Sequence, residues 1–360
     1  MAEELKSLLE TVVGSEVPGA AALVARGEDV EIASAGDVGP DSIARIASIT
    51  KPITAAAVML LVDDGLVALD DPVARWLPEL SSPKVVRTPE SPLDDVVPAA
   101  RAITVEDLLT FRAGWGFPSD FSLPAAVELF QKLPVFGIRE TPDRWLETLA
   151  RVPMLAQPGE AWLYNTCSDI QGVLIARASG QPLPDFLAER VFGPLGMADT
   201  GFHVPAAKLD RLSPYHRPDS GPAVDDVLLR EPPVFPSGAG GLVSTLADWH
   251  RFGRMLLASG EGLASGEGLL SRGSVRLMTT NHLTQEQRDA AMLFLEGAGW
   301  GFGGSVTADG RYGWVGGTGT TAHVEPATGT VGVLFTQVPM TGPSPTPIMR
   351  EFWRYAFGRS

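Results

Sequence analysis

The sequence predicts an α/β fold of the α+β kind, in which both ends of the chain build an antiparallel sheet flanked by helices. Two observations predict it. Short β-prone runs lie near the amino terminus and again after residue 236, whereas helical patterns between Pro-rich loops fill residues 66–235. Strands at both ends with helices between them are typical of a sheet domain with an insertion. We therefore expect a sheet domain from 1–65 and 236–360, a mostly helical domain from 66–235, and an active site in the cleft between them.

Hydrophobic spacing, together with turn and cap residues, assigns each element. In chain order these are a helix over 3–13, strands over 20–26 and 30–34, helices over 48–65, 103–109, 168–179, 184–191 and 246–257, β-prone runs over 300–306, 312–315, 321–326 and 330–337, and a last helix over 346–357. Thr104, with Asp107 three residues later, is expected to cap the amino terminus of the helix over 103–109. Gly180 is expected to end the helix over 168–179. Pro52 is tolerated only in the first turn of a helix, so Ser48 must lie at the start of its helix.

Composition restricts the classes of partner. The chain has 360 residues and is 44% hydrophobic and 20% charged, as in an ordinary globular protein. Its net charge of −15 argues against partners that are themselves anionic. Nucleic acid and anionic membranes require clustered Lys and Arg, so neither is an expected partner. No run of about 18 apolar residues occurs, so no transmembrane helix is expected.

The cysteine count and the first residues bear on the compartment. Cys167 is the single cysteine, which excludes an internal disulfide and fits a reducing compartment. The first residues are acidic and lack the basic and apolar segments of a signal peptide. We expect a cytoplasmic protein, and a mature form trimmed of an export signal stays open.

Ser48 and Lys51 carry the strongest chemical signal. A Ser and a Lys three residues apart at a helix start lie on one face, close enough to touch. A serine hydroxyl needs a neighbouring base at neutral pH, and a lysine is that base only when burial or nearby positive charge lowers its pKa. The alternative is an ordinary serine cap beside a surface lysine. The same spacing at Ser81 and Lys84 lies in a Pro-rich, charged stretch and predicts a solvated loop.

Three regions taken together carry a resemblance to a known fold. They are 48–51 with its apolar helix, 162–169 around Tyr164, and 313–317 on a late strand. Their order and spacing resemble the serine β-lactamase and penicillin-binding-protein fold, and more closely its esterases, the family VIII carboxylesterases. The runs 103–110, 192–197 and 240–245 are similar to the same family, so the resemblance covers nearly the whole chain.

The resemblance implies a cofactor-free serine hydrolase. Ser48 is then the nucleophile that forms an acyl-enzyme, and Lys51 and Tyr164 share the general base and acid roles in an undecided division. A phenol near amines can have a lowered pKa and relay the serine proton. By the same resemblance, the backbone N–H groups of Ser48 and Gly317 form the oxyanion hole.

The third region departs from the antibiotic-binding members, which carry Lys-Thr-Gly on this strand and use its cation to hold a substrate carboxylate. Every lysine of this chain lies before that strand: Lys6, Lys51, Lys84, Lys132 and Lys208. Trp314 and Gly316 stand there instead, which resembles the Trp-Gly-Gly variant of the esterases. The resemblance therefore favours small neutral esters over β-lactams and D-alanyl peptides. Short acyl chains are expected because the sequence shows no lipase-like lid and no long apolar segment. Replacement of the missing lysine by Arg311 or His323 stays open.

Other candidate residues are less specific. Trp314, Gly316 and Thr166 are expected to bind substrate, and Trp115 and Phe117 to line the acyl pocket. The chain lacks a Gly-x-Ser-x-Gly elbow, and its five histidines show no metal-binding spacing, so no metal site is expected.

Four alternatives to the esterase stay open at this point. They are a β-lactamase or D-alanyl carboxypeptidase, a hydrolase of small linear amides, an acyltransferase, and a non-catalytic binding protein on the same scaffold. A binding protein has no physical need for Ser48, Lys51 and Tyr164 together. The natural substrate and the oligomeric state are not indicated by the sequence.

Overall fold

An antiparallel sheet joins the two ends of the chain in the computed structural model, which describes residues 2–135, 137–216, 228–258 and 268–358. The strands of the described residues are β1 Gly19–Arg26, β2 Asp29–Gly36, β3 Ala44–Arg45, β4 Lys84–Val86, β5 Val96–Pro98, β6 Val243–Ser244, β7 Gly299–Trp300, β8 Ser305–Val306, β9 Tyr312–Gly316, β10 Thr320–Glu325 and β11 Thr330–Phe335. Among these residues, seven strands form the main sheet in the order β2-β1-β11-β10-β9-β8-β7. Because β1 pairs with β11, the amino-terminal hairpin and the carboxyl-terminal strands share one sheet, which confirms the predicted fold class.

Helices cover the sheet and fill the middle of the chain. The α-helices of the described residues are α1 Ala2–Val12, α2 Lys51–Asp63, α3 Val105–Leu109, α4 Pro124–Lys132, α5 Pro142–Leu149, α6 Thr166–Ser179, α7 Leu183–Leu187, α8 Gly193–Leu195, α9 Leu246–Leu257, α10 Arg272–Met278, α11 Gln285–Ala290, α12 Met292–Leu295 and α13 Pro347–Phe357. Single 3-10 turns occupy Ala47–Thr50, Val73–Arg75, Pro78–Leu80 and Ala206–Arg211, and a π-helical turn at Ala188–Phe192 links α7 to α8. Within the described part of the chain, no helix is both long and apolar enough to cross a membrane.

The two faces of the sheet carry different helices. On one face, α9 packs so closely that a Cβ on Gly253 would lie 2.8 Å from Val331. On the other face lies α13, where a Cβ on Gly332 would lie 2.9 Å from the ring of Phe357. Side chains alternate between the faces of a strand, so residues of β9 and β10 divide between these two environments. The 3-10 turn Ala47–Thr50 lies on the α9 face.

Most of the predicted elements are confirmed. Thr104 and Asp107 form a reciprocal capping box on α3, and Gly180 ends α6 in a left-handed conformation at φ 72°. Both features depend only on residues that are close in the chain, because a Thr oxygen accepts from a free helix N–H and glycine tolerates positive φ.

Three predictions need correction. The run 300–306 is not one strand but β7 and β8, joined by a tight bend in which a Cβ on Gly303 would lie 2.5 Å from the Lys51 carbonyl oxygen. The helix expected over 48–65 begins as the 3-10 turn Ala47–Thr50 before α2. Lys84 is exposed but starts the short strand β4, so the expected loop is partly ordered as a sheet. The division into 1–65 with 236–360 and 66–235 stays a prediction.

Candidate active site

Ser48 and Lys51 meet at the junction of the 3-10 turn and α2. Lys51 Nζ lies 2.8 Å from Ser48 Oγ. Ser48 is partly exposed, whereas the Lys51 side chain is 0% exposed. Ala47, immediately before the serine, has φ 45°, a strained value for a residue with a Cβ. The predicted contact is therefore present, and the lysine is not a surface residue.

The surroundings of Lys51 hold its amine in a fixed position. Nζ donates to the side-chain oxygen of Asn165 at 2.8 Å and to the carbonyl oxygen of Ala239 at 2.7 Å. It also lies 4.7 Å from the centre of the Tyr164 ring. Burial lowers the pKa of Lys51 to about 7, against the opposing attraction of Asp169. A substantial fraction of this amine is therefore neutral at physiological pH and free to accept a proton.

Asn165 is held in a strained turn. Its backbone has φ 81° and ψ −65°, and the N–H of Thr166 donates to the carbonyl oxygen of Tyr164 at 3.2 Å. This is a γ-turn with positive φ, a rare conformation for a residue with a side chain. Asn165 precedes α6 but makes no side-chain cap bond there, since its oxygen accepts from Lys51 instead. The strained turn therefore places the side-chain oxygen of Asn165 against the amine of Lys51.

Asp169 is a site residue that the sequence reasoning missed. It is buried in the first turns of α6, and its Oδ1 accepts from Ser237 Oγ at 2.6 Å and from the Ala239 N–H at 3.1 Å. Burial raises the pKa of this carboxyl, against these hydrogen bonds and the charge of Lys51. Asn165 and Asp169 are four residues apart at a helix start, so their shared helix face was the available signal.

Tyr164 lies beside Ser48 and Lys51, and its hydroxyl accepts a hydrogen bond from the Trp314 indole N–H at 2.7 Å. Burial raises the pKa of Tyr164 to about 12, although hydrogen bonding by Ser48 and Trp314 lowers it. The expectation of a lowered phenol pKa is therefore wrong. Desolvation of the phenolate outweighs the neighbouring donors, and Tyr164 keeps its proton at neutral pH.

Strand β9 borders the site as the sequence predicted. Trp314 and Gly316 point to the face that carries the 3-10 turn, where a Cβ on Gly316 would lie 2.5 Å from the Ile46 carbonyl oxygen. Only glycine permits this approach of the strand to the serine-bearing turn. Gly317 follows at an exposed position, and its carbonyl oxygen accepts from the Met340 N–H at 2.8 Å.

The remaining predicted residues lie at different depths. Phe117 forms a backbone bridge with Tyr164, so it is next to the site. Thr166 is buried at the first position of α6. Trp115 is buried, with its indole N–H donating to the Val152 carbonyl oxygen at 2.8 Å, the arrangement of a core residue. Substrate contact by these three residues stays a prediction.

Arg311 and His323 do not replace the missing lysine. Both lie on the α13 side of the sheet, where the Arg311 guanidinium is 4.9 Å from the centre of the Trp353 ring and the His323 ring is 5.1 Å from it. Burial lowers the pKa of His323 well below its ordinary value, and Arg311 adds to the effect. His323 is therefore a neutral core histidine on the face of the sheet opposite Ser48.

Among the described residues, no three or more His, Cys, Asp or Glu side chains lie together in a way that could hold a metal ion.

Comparison with known proteins identifies the family. The model of the beta-lactamase family matches residues 5–347. The chain belongs to the beta-lactamase family. This family of beta-lactamase-fold serine hydrolases includes esterases, and the membership supports a hydrolase.

Two relatives and one solved structure are similar to this beta-lactamase-family chain. Protein Rv1367c of Mycobacterium tuberculosis is 40% identical over 307 residues, which cover 80% of this chain and 75% of the relative. Esterase EstB of Burkholderia gladioli is 32% identical over 289 residues, 73% of this chain and 66% of the esterase. The structure of EstCE1, a hydrolase with promiscuous acyltransferase activity, superimposes with a TM-score of 0.80 at 22% identity, covering 99% of this chain and 98% of that one. The last likeness shows the fold, in agreement with the sheet described above.

Proposed function

We propose that this protein is a serine carboxylesterase that hydrolyses small neutral esters with short acyl chains through a covalent acyl-enzyme on Ser48. The observation that carries the proposal is the amine of Lys51, fully buried, 2.8 Å from Ser48 Oγ, with a pKa lowered to about 7. A buried amine of that pKa is matched to taking a serine proton at neutral pH. A cytoplasmic location, inferred from the single cysteine, is part of the same proposal.

The different pKa values of Lys51 and Tyr164 assign them the roles of general base and general acid. Neutral Lys51 takes the hydroxyl proton as Ser48 Oγ attacks the ester carbonyl. Tyr164, protonated because its pKa is about 12, gives its proton to the departing alkoxide and regains one from the Lys51 ammonium. Water then attacks the acyl-enzyme, with Lys51 again as the base. The N–H groups of Ser48 and Gly317 are the proposed donors to the carbonyl oxygen as it becomes an oxyanion.

Neutral esters are favoured over β-lactams because β9 presents no positively charged side chain to the site. Trp314 donates its indole N–H to Tyr164, and no lysine follows residue 208 in the chain. Arg311 and His323 face α13, so neither supplies a cation for a substrate carboxylate. A substrate carboxylate therefore finds no cationic partner among these residues and adds little binding affinity, whereas a neutral ester needs no such partner. The EstB relative, an esterase by name, supports the same substrate class.

The proposal is tested by comparing hydrolysis of p-nitrophenyl butyrate with that of a chromogenic cephalosporin, using wild type and Ser48→Ala. We expect ester turnover that depends on Ser48 and little lactam turnover. Lactam turnover as fast as ester turnover would overturn the esterase assignment. Ester turnover that survives in Ser48→Ala would overturn the nucleophile.

A further inference from the structure

We infer that the leaving-group side of this site binds a bulky aromatic alcohol, so that the substrates are short-acyl esters of arylalkyl alcohols. The inference rests on the proposed esterase function and specifies its substrate class. It is carried by an aromatic surface that begins at Tyr164 and extends to the outside of the protein. We call this surface, formed by Phe117, Phe121, Phe130 and Phe294, the aromatic wall.

The rings of the wall contact one another and Tyr164. Phe294 lies 5.0 Å from Tyr164 between ring centres, and Phe117 lies 6.2 Å from it. Phe117 stacks on Phe130 at 4.4 Å, and Phe121 lies 6.0 Å from Phe294. These separations are those of favourable aromatic pairs. The wall is therefore continuous from the proton-donating phenol outwards.

Two separate segments of the chain build the wall. Phe117 and Phe121 lie in the stretch that leads into α4, Phe130 lies on α4 itself, and Phe294 lies on α12. The hydroxyl of Ser119 donates to the carbonyl oxygen of Ala290 at 2.6 Å and joins the two segments beside the rings. Such a joint holds the aromatic surface in place before any substrate arrives, which reduces the ordering cost of binding.

The outer part of the wall is exposed to water. Phe121 is 42% exposed, and Phe117 and Phe130 are partly exposed, whereas Phe294 is buried and backs the wall from inside. A single exposed apolar side chain needs no explanation, but a contiguous apolar surface at a reactive centre marks a binding site. An apolar group of the substrate is the occupant that continuity with Tyr164 favours.

The chemistry of Tyr164 selects the alcohol half of the ester. The oxygen that leaves must lie within hydrogen-bond reach of the phenol that protonates it. The carbon chain on that oxygen therefore starts beside Tyr164 and extends along its neighbours, the rings of the wall. The carbonyl oxygen, by contrast, faces Ser48 and Gly317 at the end of β9. Phe117 thus moves from the acyl pocket, where the sequence suggested it, to the alcohol side.

The reaction on such a substrate is ordinary ester hydrolysis. Ser48 Oγ forms a bond to the acyl carbon, the bond from that carbon to the alcohol oxygen breaks, and the alcohol leaves with the proton of Tyr164. Water then releases the carboxylic acid and restores the Ser48 hydroxyl.

Two isomeric esters test the inference, because they differ only in which half carries the phenyl ring. They are 2-phenylethyl acetate and ethyl phenylacetate, with ethyl acetate as the reference that has no ring. We expect kcat/KM for 2-phenylethyl acetate to exceed that for its isomer by about tenfold. Phe121→Ala should lower kcat/KM for 2-phenylethyl acetate by about threefold to tenfold, the effect of losing one aromatic contact, and by more than it lowers kcat/KM for ethyl phenylacetate. Phe121→Trp should keep most of the wild-type value for 2-phenylethyl acetate. The control is Leu66→Ala, since Leu66 is 49% exposed, follows α2 and belongs to neither segment that builds the wall.

The outcomes separate the two proposals. Equal rates for the isomers, or a Phe121→Ala loss confined to ethyl phenylacetate, overturn the assignment of the wall to the alcohol while leaving the esterase in place. Absence of Ser48-dependent hydrolysis of ethyl acetate and of p-nitrophenyl acetate overturns the esterase function itself, and with it this inference.

Discussion

Lys51 and Asp169 bind opposite sides of one residue, Ala239. The amine of Lys51 donates to the Ala239 carbonyl oxygen at 2.7 Å, and the carboxylate of Asp169 accepts from the Ala239 N–H at 3.1 Å. A single residue therefore positions the proposed base and its counter-charge together. Burial lowers the pKa of Lys51, and the attraction of Asp169 opposes this. The balance of the two effects puts the lysine in the range where it can gain and lose a proton.

Asp169→Asn tests this balance. The amide keeps an oxygen for the N–H of Ala239 and the hydroxyl of Ser237 but removes the charge that favours the ammonium form of Lys51. We expect the acid limb of the kcat/KM profile to move to lower pH, measured with p-nitrophenyl butyrate. A merely structural role for Asp169 would lower activity at all pH values without moving the limb. A shift to higher pH would contradict the account.

The pH dependence of wild-type activity follows from the two pKa values. Lys51 must be neutral to act as base, so kcat/KM should rise through pH 7 and fall by about tenfold per unit below it, the slope of a single proton. Tyr164 must keep its proton, and its pKa of about 12 predicts no alkaline fall below about pH 10. An acid limb centred near pH 4 or 5 would point to a carboxylate base instead.

Loss of the base should abolish activity without unfolding the protein. Lys51→Met keeps an apolar stem of similar length and removes the amine from a fully buried position. We expect kcat/KM to fall by about 10²- to 10⁴-fold, the usual contribution of a general base. Circular dichroism provides the check on folding, and Lys6→Met, at an exposed lysine of α1, is the matched control. Near-normal turnover by folded Lys51→Met would remove Lys51 from the mechanism.

Tyr164→Phe should show a dependence on the leaving group. Hydrolysis of ethyl butyrate needs a proton for a basic alkoxide, so we expect a loss of at least about 10²-fold. Nitrophenolate leaves without a proton, so the loss on p-nitrophenyl butyrate should be several-fold smaller. Equal losses on both esters would assign Tyr164 a role other than proton donor, and a loss below threefold on ethyl butyrate would exclude it from proton transfer.

Local chemistry was predictable from the sequence. Ser48 and Lys51 meet because residues three apart share a helix face, and Thr104 caps α3 because its partner Asp107 is close in the chain. The sheet joining both chain ends was also predictable, since the apolar β-prone runs at the two ends must pair to be buried.

Long-range packing was not predictable in the same way. Asp169 acts through Ser237 and Ala239, about 70 positions away, and no local pattern places that loop against α6. The raised pKa of Tyr164 depends on how deeply its neighbours cover it, which is a property of the assembled core. The bend that splits β7 from β8 brings Gly303 so close to Lys51 that a Cβ would lie 2.5 Å from its carbonyl oxygen, an approach between distant parts of the chain.

The most direct test of the central claim is to find the residue that carries the acyl group. Wild type and Ser48→Ala are mixed with excess p-nitrophenyl butyrate, quenched in acid during turnover, and mapped by peptide mass spectrometry. The fast-leaving nitrophenolate makes release of the acyl group the slow step, so the acyl-enzyme accumulates. We expect one butyryl group on Ser48 of the wild type, and in Ser48→Ala neither that adduct nor measurable turnover. A butyryl group on another residue that appears during turnover, or hydrolysis that persists in Ser48→Ala, would contradict the account.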